Sequence, residues 1–209
     1  MGIDLERRAR NAAVAIAAAH ALAYEEAVVV HSGSNVLVHL RPLPVVARVM
    51  TGTVVLHDDP RRWLEREVSV LEFLAPSRIA VAPSSLIAPG PHQHDGLWLT
   101  FTELVPDVER RNFPADASRL GQVLRDLHDR LLTFDGELGT VNDLRDDIER
   151  LHRLLRPTEV LAATAISSLR TRLDALEDTV FGTALPTQPL HGDASLSNLL
   201  RTPERLVWN

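Results

Sequence analysis

A short polar stretch near residue 200 holds the residues best suited to chemistry. His191, Gly192 and Asp193 are followed, five residues after the aspartate, by Asn198. A carboxylate on such a loop could accept the proton of a hydroxyl group, and a nearby amide oxygen could hold Mg²⁺ on nucleotide phosphates. The spacing therefore fits phosphoryl transfer from a magnesium nucleotide to a hydroxyl. Because a His-Gly-Asp turn also occurs in ordinary loops, the rest of the chain must supply further parts.

The first half of the chain predicts one helix followed mainly by strands. The alanine-rich stretch 5–23 is typical of a helix. Asp59 before Pro60 resembles a helix start, and apolar spacing extends that helix to about residue 74. Between 76 and 96, repeated prolines argue against regular structure. Short β-branched or aromatic runs predict strands at 27–31, 35–40, 45–50 and 97–101.

The second half changes to helical periodicity. Apolar residues at helical spacing predict helices over 120–131, 141–155 and 161–180. This separation of strands and helices indicates an α+β fold. We predict a β-rich N-terminal lobe, 1–103, that binds nucleotide, and a helical C-terminal lobe, 104–209, with a ligand crevice between them.

Composition excludes several functional classes. The 209 residues include no cysteine, which rules out disulfides, thiolate metal sites and a cysteine nucleophile. A formal charge of −6 argues against nucleic acid or an anionic membrane as partner. We find neither a secretory signal nor a run long enough to span a bilayer, so we expect a cytoplasmic protein with a small-molecule partner.

The segment 190–200, with the apolar run 206–208 after it, resembles the catalytic loop and following hairpin of the aminoglycoside phosphotransferase and choline kinase-like family. That resemblance implies a protein-kinase-like two-lobe fold, with ATP and Mg²⁺ as cofactors and a small-molecule hydroxyl as acceptor. It makes Asp193 the catalytic base and Asn198 a magnesium ligand.

The resemblance also assigns residues to the nucleotide site. Gly33, Ser34 and Asn35 would form the turn over the ATP phosphates, although an ordinary hairpin turn explains them equally well. Arg48 stands where the family has a phosphate-binding lysine. The chain contains no lysine, and a guanidinium can also bind phosphate, but an arginine at a strand edge is the alternative.

Further assignments concern the partner of that arginine and the base of the nucleotide. Glu67 would pair with Arg48, with Glu65 as the alternative if the helix is in a different register. The segment 102–107, which includes Glu103, would be the hinge whose backbone binds adenine.

Four histidines are candidates for special roles. We expect His128 to make one structural hydrogen bond, and His191 to orient the catalytic loop. His92 and His94 have zinc-like spacing, but without a third ligand a solvated loop is the preferred interpretation.

One expected part is missing from the sequence. The family carries an Asp-Phe segment, with a second metal-binding aspartate and further helices, after the strand that ends near Trp208, whereas this sequence stops at Asn209. We therefore expect an incomplete C-terminal lobe. The leading hypothesis is an ATP-dependent phosphotransferase; the alternatives are an inactive nucleotide-binding pseudokinase, a truncated product without catalysis, or a binding module of the same shape. Acceptor and oligomeric state are left open.

Overall fold

A helix and an antiparallel sheet form the N-terminal part of the chain. The computed structural model describes residues 2–106, 117–158, 161–181 and 187–209. Within them, the first helix, α1, covers Gly2–Ala19. Five strands follow: β1 Glu26–Ser32, β2 Asn35–Arg41, β3 Val45–Met50, β4 His92–His94 and β5 Leu97–Glu103. They form one sheet in the order β1-β2-β3-β5-β4, in which all neighbouring strands are antiparallel.

Helix α1 covers one face of this sheet. Its four fully buried alanines are Ala9, Ala12, Ala13 and Ala17, which lie on one helical face. Small side chains let the helix approach the strands closely. Alternate residues of the strands meet them, among them Val36, Val38 and Leu40 of β2. The intervening strand residues therefore point to the opposite face, which is available for a site.

Helix α1 ends earlier than predicted, at residue 19 rather than 23. Ala21 takes a left-handed conformation, with φ of 53°. The Leu22 amide donates to the Ala17 carbonyl at 2.9 Å, which closes the helix C-terminus, and the Leu22 side chain packs on the core. Because the left-handed residue is alanine rather than glycine, the sequence carries no stop signal there.

The expectation that 76–96 lacks regular structure is wrong for residues 92–94. These residues form β4, which pairs with β5 through the turn Asp95–Gly96. Both turn residues have positive φ, 49° and 73°. An Asp-Gly pair before an apolar run is a common hairpin signal, so the sequence did contain the information.

The second helix, α2 (Pro60–Leu74), confirms the predicted bounds. The Asp59 carboxylate accepts the Arg62 amide at 3.0 Å, and Pro60 occupies the first turn. Leu64 and Val68 are buried, and α2 contacts β5. Helix α1 contacts β5 as well, so both helices pack on this strand.

A second core forms around the helix α3 (Ala117–Leu131) and the hairpin β6 (Leu199–Arg201) and β7 (Leu206–Trp208). Its buried members are Leu74, Ala80, Leu127, Leu131, Leu199 and Trp208. The Trp208 amide donates to the Ile79 carbonyl at 2.9 Å, and the Val81 amide donates to the Trp208 carbonyl at 2.8 Å. The hairpin is thus joined to the segment that leads into β4.

Two more α-helices in the described part of the chain are α4 (Val141–Leu154) and α5 (Ala163–Val180), close to the predicted bounds. The chain divides into two compact units. The first comprises Met1–Val55, Asp59–Gly136 and Pro189–Asn209, and the second comprises Leu56–Asp58 and Glu137–Gln188. No helix in the described ranges combines the length and apolar character needed to span a bilayer. The α+β class is confirmed, while the lobe boundary at 103/104 stays a prediction.

Candidate active site

The face of the sheet opposite α1 carries a buried polar cluster. Arg48 on β3 lies between Ala47 and Val49, which are fully buried on the α1 side. Arg48 consequently points the other way, where its Nη1 donates to Oε2 of Glu67 on α2. The side chains of this pair are only 27% and 21% exposed. The structure therefore brings Arg48 and Glu67 together, while Glu65 pairs instead with Arg61 at 2.8 Å.

Thr100 completes this cluster and was missed by the sequence reasoning. It lies directly opposite Arg48 in the β3–β5 register and is fully buried. Its hydroxyl donates to Oε1 of Glu67 at 3.4 Å. The only sequence signal is one hydroxyl residue within an otherwise apolar run, Leu97–Phe101. Each carboxylate oxygen of Glu67 thus has its own donor.

Asn35, the first residue after the turn between β1 and β2, points to the same face of the sheet as Arg48. Cross-strand partners point to one face, and Asn35 pairs with Met50 two residues from the Leu37–Arg48 pair. The segment after β3 supports the turn, since the Gly52 amide donates to the Ser34 carbonyl at 2.7 Å. A Cβ on Gly52 would lie 3.1 Å from that oxygen, so a larger residue would displace the turn.

Other contacts of the same turn come from hydroxyl groups. Thr51 donates to the Ser34 carbonyl at 3.2 Å, and Thr53 reaches Oδ1 of Asn35 at 3.5 Å. Gly33 lies at the tip, where a Cβ would meet the His31 ring at 2.9 Å. Hydrogen bonds from residues 51–53, which follow β3, therefore stabilise the turn that contains Gly33, Ser34 and Asn35.

The predicted hinge begins at the end of β5. The Glu103 amide donates to Ala82 and the Leu104 amide donates to Pro44, both at 2.9 Å. The Glu103 carboxylate accepts the Ser85 hydroxyl at 3.1 Å. These bonds hold the start of the segment on both sides. Asp107, at its predicted end, lies outside the described residues.

Asp193 and Asn198 lie in direct contact on the loop before β6. Nδ2 of Asn198 donates to the Asp193 carboxylate at 2.8 Å and to the Asp193 carbonyl at 2.9 Å. The Ser195 amide donates to the same carbonyl at 2.9 Å. Gly192 turns the chain before the aspartate with φ of +80°, a conformation that favours glycine. The Asp193 carboxylate is exposed, as a group that acts on a bound ligand must be.

Two histidines support this loop. The His191 amide donates to Nε2 of His128 on α3 at 3.2 Å, and the Asp193 amide donates to Nδ1 of His191 at 3.2 Å. The His191 ring lies 4.7 Å from the Trp208 ring. Burial lowers the pKa of His191, and His128 adds to this effect while Asp193 opposes it. His191 is therefore suited to accept a hydrogen bond as a neutral ring.

Metal binding at His92 and His94 has no support from neighbouring ligands. The His92 ring packs against the rings of His20 and Phe101, and its Nε2 bonds the Ala88 carbonyl at 2.8 Å. Within the described residues, no group of three or more His, Cys, Asp or Glu side chains could hold a metal ion. Residues 92–94 are a strand, as noted above, rather than a solvated loop.

Comparison with known proteins supports a kinase-like fold. A model of the phosphotransferase enzyme family matches residues 32–207, most of the chain. A comparison with curated protein sequences gave no significant match.

Solved structures that are similar to the chain include the following three, given with the TM-score, the sequence identity, and the shares of this chain and of the other chain that are covered. A choline/ethanolamine kinase family protein from Mesorhizobium loti has a TM-score of 0.57 at 13% identity, over 98% of this chain and 64% of that one. Choline kinase LicA from Streptococcus pneumoniae has a TM-score of 0.53 at 15% identity, over 95% of this chain and 67% of that one. Spectinomycin phosphotransferase APH(9)-Ia, in complex with ADP and spectinomycin, has a TM-score of 0.53 at 12% identity, over 95% of this chain and 68% of that one. The chain thus spans 64–68% of the length of these proteins.

Proposed function

Because the chain belongs to the phosphotransferase enzyme family, we propose that it transfers the γ-phosphoryl group of ATP to a hydroxyl of a small molecule. The observation that carries this proposal is the contact between Asp193 and Asn198, on a loop whose His191 amide donates to His128 of α3. An exposed carboxylate on a fixed loop can align a hydroxyl and accept its proton. The ADP bound to the spectinomycin phosphotransferase supports ATP as donor.

The nucleotide would be held by groups on the sheet. Arg48 would bind phosphate oxygens through the guanidinium nitrogens that Glu67 leaves available, since one guanidinium has five N–H donors. Gly33, Ser34 and Asn35 would cover the phosphates, and the segment from Glu103 would contact the base. In this proposal Glu67 and Thr100 keep Arg48 in place rather than touching the nucleotide.

Mg²⁺ fits the chemistry of the catalytic loop. Nδ2 of Asn198 is directed to Asp193, so Oδ1 is the atom of that amide that can bind a cation. Mg²⁺ prefers oxygen ligands, keeps several waters, and is usually bound together with substrate phosphates. When bound, the ion would neutralise charge that develops on the transferred phosphoryl group. Asn198 would hold it, and phosphates and water would supply the other ligands.

Two further aspects of the proposal concern partner and location. The neighbours named for choline and spectinomycin act on small molecules, which supports an acceptor of similar size. The net charge of −6 is unfavourable for nucleic acid. We infer a cytoplasmic enzyme whose nucleotide donor is available in that compartment.

The variant Asp193→Asn tests this function. It keeps the shape and the Asn198 contact but removes the base, so we expect turnover of Mg·ATP, with or without added acceptor, to fall at least about 100-fold. Nucleotide affinity should stay within about threefold, because Asp193 is not one of the nucleotide-binding groups. Asp126→Asn, an exposed aspartate on α3, is the matched control and should behave as wild type. Undiminished turnover in Asp193→Asn would contradict the assignment.

An inactive nucleotide-binding protein is the second candidate, and the arginine at position 48 favours it. Arginine is longer than lysine and planar, and here it is engaged by Glu67. In this alternative, Mg·ATP binds but is not turned over by the wild-type chain with any hydroxyl acceptor. Calorimetric ATP binding, followed by an assay of ADP release, separates the two candidates.

A further inference from the structure

Helix α3 contacts the catalytic segment near both of its ends. At the beginning, Nε2 of His128 accepts the His191 amide at 3.2 Å. At the end, the Val123 carbonyl accepts Nε1–H of Trp208 at 3.3 Å. Asp193 and Asn198 lie between these two contacts. Helix α3 therefore contacts the segment 191–208 near both ends, while the backbone of residues 79 and 81 also binds Trp208.

The contact at His128 leads directly to the aspartate. The amide of His191 donates to His128, and Nδ1 of the His191 ring in turn accepts a hydrogen bond from the Asp193 amide, also at 3.2 Å. The Trp208 ring lies against that same ring, at 4.7 Å between centroids. Two hydrogen bonds and one ring contact thus connect α3 with the backbone of Asp193, and each histidine acts through an unprotonated nitrogen.

We propose that His128 is a positioning residue for phosphoryl transfer: through the backbone of His191, it fixes the place of the Asp193 carboxylate. This inference rests on the proposed function and adds to it a residue that touches neither nucleotide nor acceptor. Small displacements of a catalytic group are costly, since a shift of about 1 Å can reduce a rate about 100-fold. Losing the His128 acceptor should consequently lower kcat and leave nucleotide binding almost unchanged.

Two substitutions separate hydrogen bonding from packing. His128→Gln keeps an acceptor near the position of Nε2, whereas His128→Leu removes it. We expect His128→Leu to lower kcat for Mg·ATP turnover by about 10- to 100-fold with KM for ATP within about threefold. His128→Gln should recover most of the rate. His152→Leu on α4, in the second compact unit, is the matched control and should leave kcat unchanged.

Amide hydrogen exchange gives a readout that does not depend on turnover. Exchange at the His191 amide should become about tenfold faster in His128→Leu and remain near wild type in His128→Gln, because only the first loses the acceptor. If the leucine variant does not fold, His128→Asn replaces it, since its amide is too short to reach the same position.

The outcomes are distinct for the inference and for the function. An unchanged kcat in His128→Leu, or a glutamine variant as slow as the leucine variant, would overturn the positioning role. If the wild-type chain turns over no ATP, the proposed function fails. Hydrogen exchange of the His191 amide then tests whether His128 holds the loop. Equal exchange of the His191 amide in all variants would then reject it, and selective acceleration in His128→Leu would support the contact.

Discussion

In the first compact unit, Val38, Leu99 and Phe101 are fully buried between α1 and the sheet, whereas in the second unit Leu144 on α4 and Leu176 on α5 are 53% and 52% exposed. Among the described residues of the second unit, ion pairs replace this burial. Arg170 contacts Glu149 at 2.7 Å and Asp174 at 2.8 Å, and two more ion pairs join Arg145 to Glu177 and Arg150 to Asp58. Nδ1 of His57 also lies 3.4 Å from the Asp147 carboxylate.

This difference has a physical consequence. Burial of apolar surface is not screened by salt and is the dominant favourable contribution to the stability of a domain. Exposed ion pairs contribute little individually and are screened by salt. We infer that the first unit, which carries all the proposed site residues, supplies a rigid frame, and that the second unit opens at lower free energy.

A matched pair of leucine substitutions should show the largest effect. Leu99→Ala removes a fully buried side chain from the sheet, and we expect a loss of about 2–5 kcal/mol of unfolding free energy. Leu144→Ala, on the half-exposed face of α4, should cost less than about 1 kcal/mol. Urea denaturation followed by circular dichroism measures both. Similar losses for the two variants would contradict the comparison.

A polar substitution in the first unit should have an intermediate effect. Thr100→Val keeps the shape but leaves Oε1 of Glu67 without this donor, at an expected cost of about 1–3 kcal/mol in stability. Affinity for ATP should fall as well, because Arg48 loses part of its support. Thr100→Ser retains the hydroxyl and should restore both properties, and Thr133→Val, at the end of α3, is the control for hydroxyl loss elsewhere. Denaturation and calorimetric ATP binding are the measurements; a valine variant equal to wild type in both would exclude the role of Thr100.

The smallest effect should be the pH dependence of stability that His57 gives to the second unit. Burial lowers the pKa of His57 despite the opposing effect of Asp147, so the unfolded state binds the proton more readily. Stability from this group is therefore lost as the pH falls below about 6.5. Burial raises the pKa of Asp147, which has the opposite sign but acts nearer pH 4.

The variant His57→Gln should remove the loss of stability that the second unit shows between pH 7 and about pH 5.5. Hydrogen exchange of amides in α4, corrected for the intrinsic rate, measures the effect. His94→Gln, an exposed histidine on β4 in the first unit, should leave the pH dependence of α4 unchanged. If α4 in His57→Gln still opens on acidification as it does in wild type, another group is responsible.

Much of the fold could be predicted because local signals agreed with tertiary structure. The cap at Asp59 and the proline after it defined the start of α2, and the apolar spacing indicated where the helix ends. Short β-branched or aromatic runs located β2, β3 and β5. Two features could not be predicted as easily: the end of α1 depends on a left-handed alanine, and β4 is only three residues long.

The candidate site could be predicted from the sequence only where its residues are unusual for their surroundings. A single charge within the apolar run 45–50 drew attention to Arg48, and the order of His191, Asp193 and Asn198 drew attention to the loop. Thr100 and the anchoring role of Trp208 were missed, since a threonine in a strand and a tryptophan in a core have ordinary explanations. Their contacts become visible only when distant segments meet, as β3, β5 and α2 do at Glu67.

The pairing of Trp208 with residues 79–81 also bears on the order in which the protein matures during translation. Nascent chains fold largely from the N-terminus, so the sheet and α1 can form while later residues are still being added. The second core cannot form at that stage, because Ala80 and Leu127 pack in a cluster with Leu199 and Trp208, which are synthesised later. A ribosome-bound intermediate would already hold Arg48 against Glu67, yet the loop that carries Asp193 and Asn198 would be unassembled. The uncovered apolar surface of the second core would then be a target for chaperones.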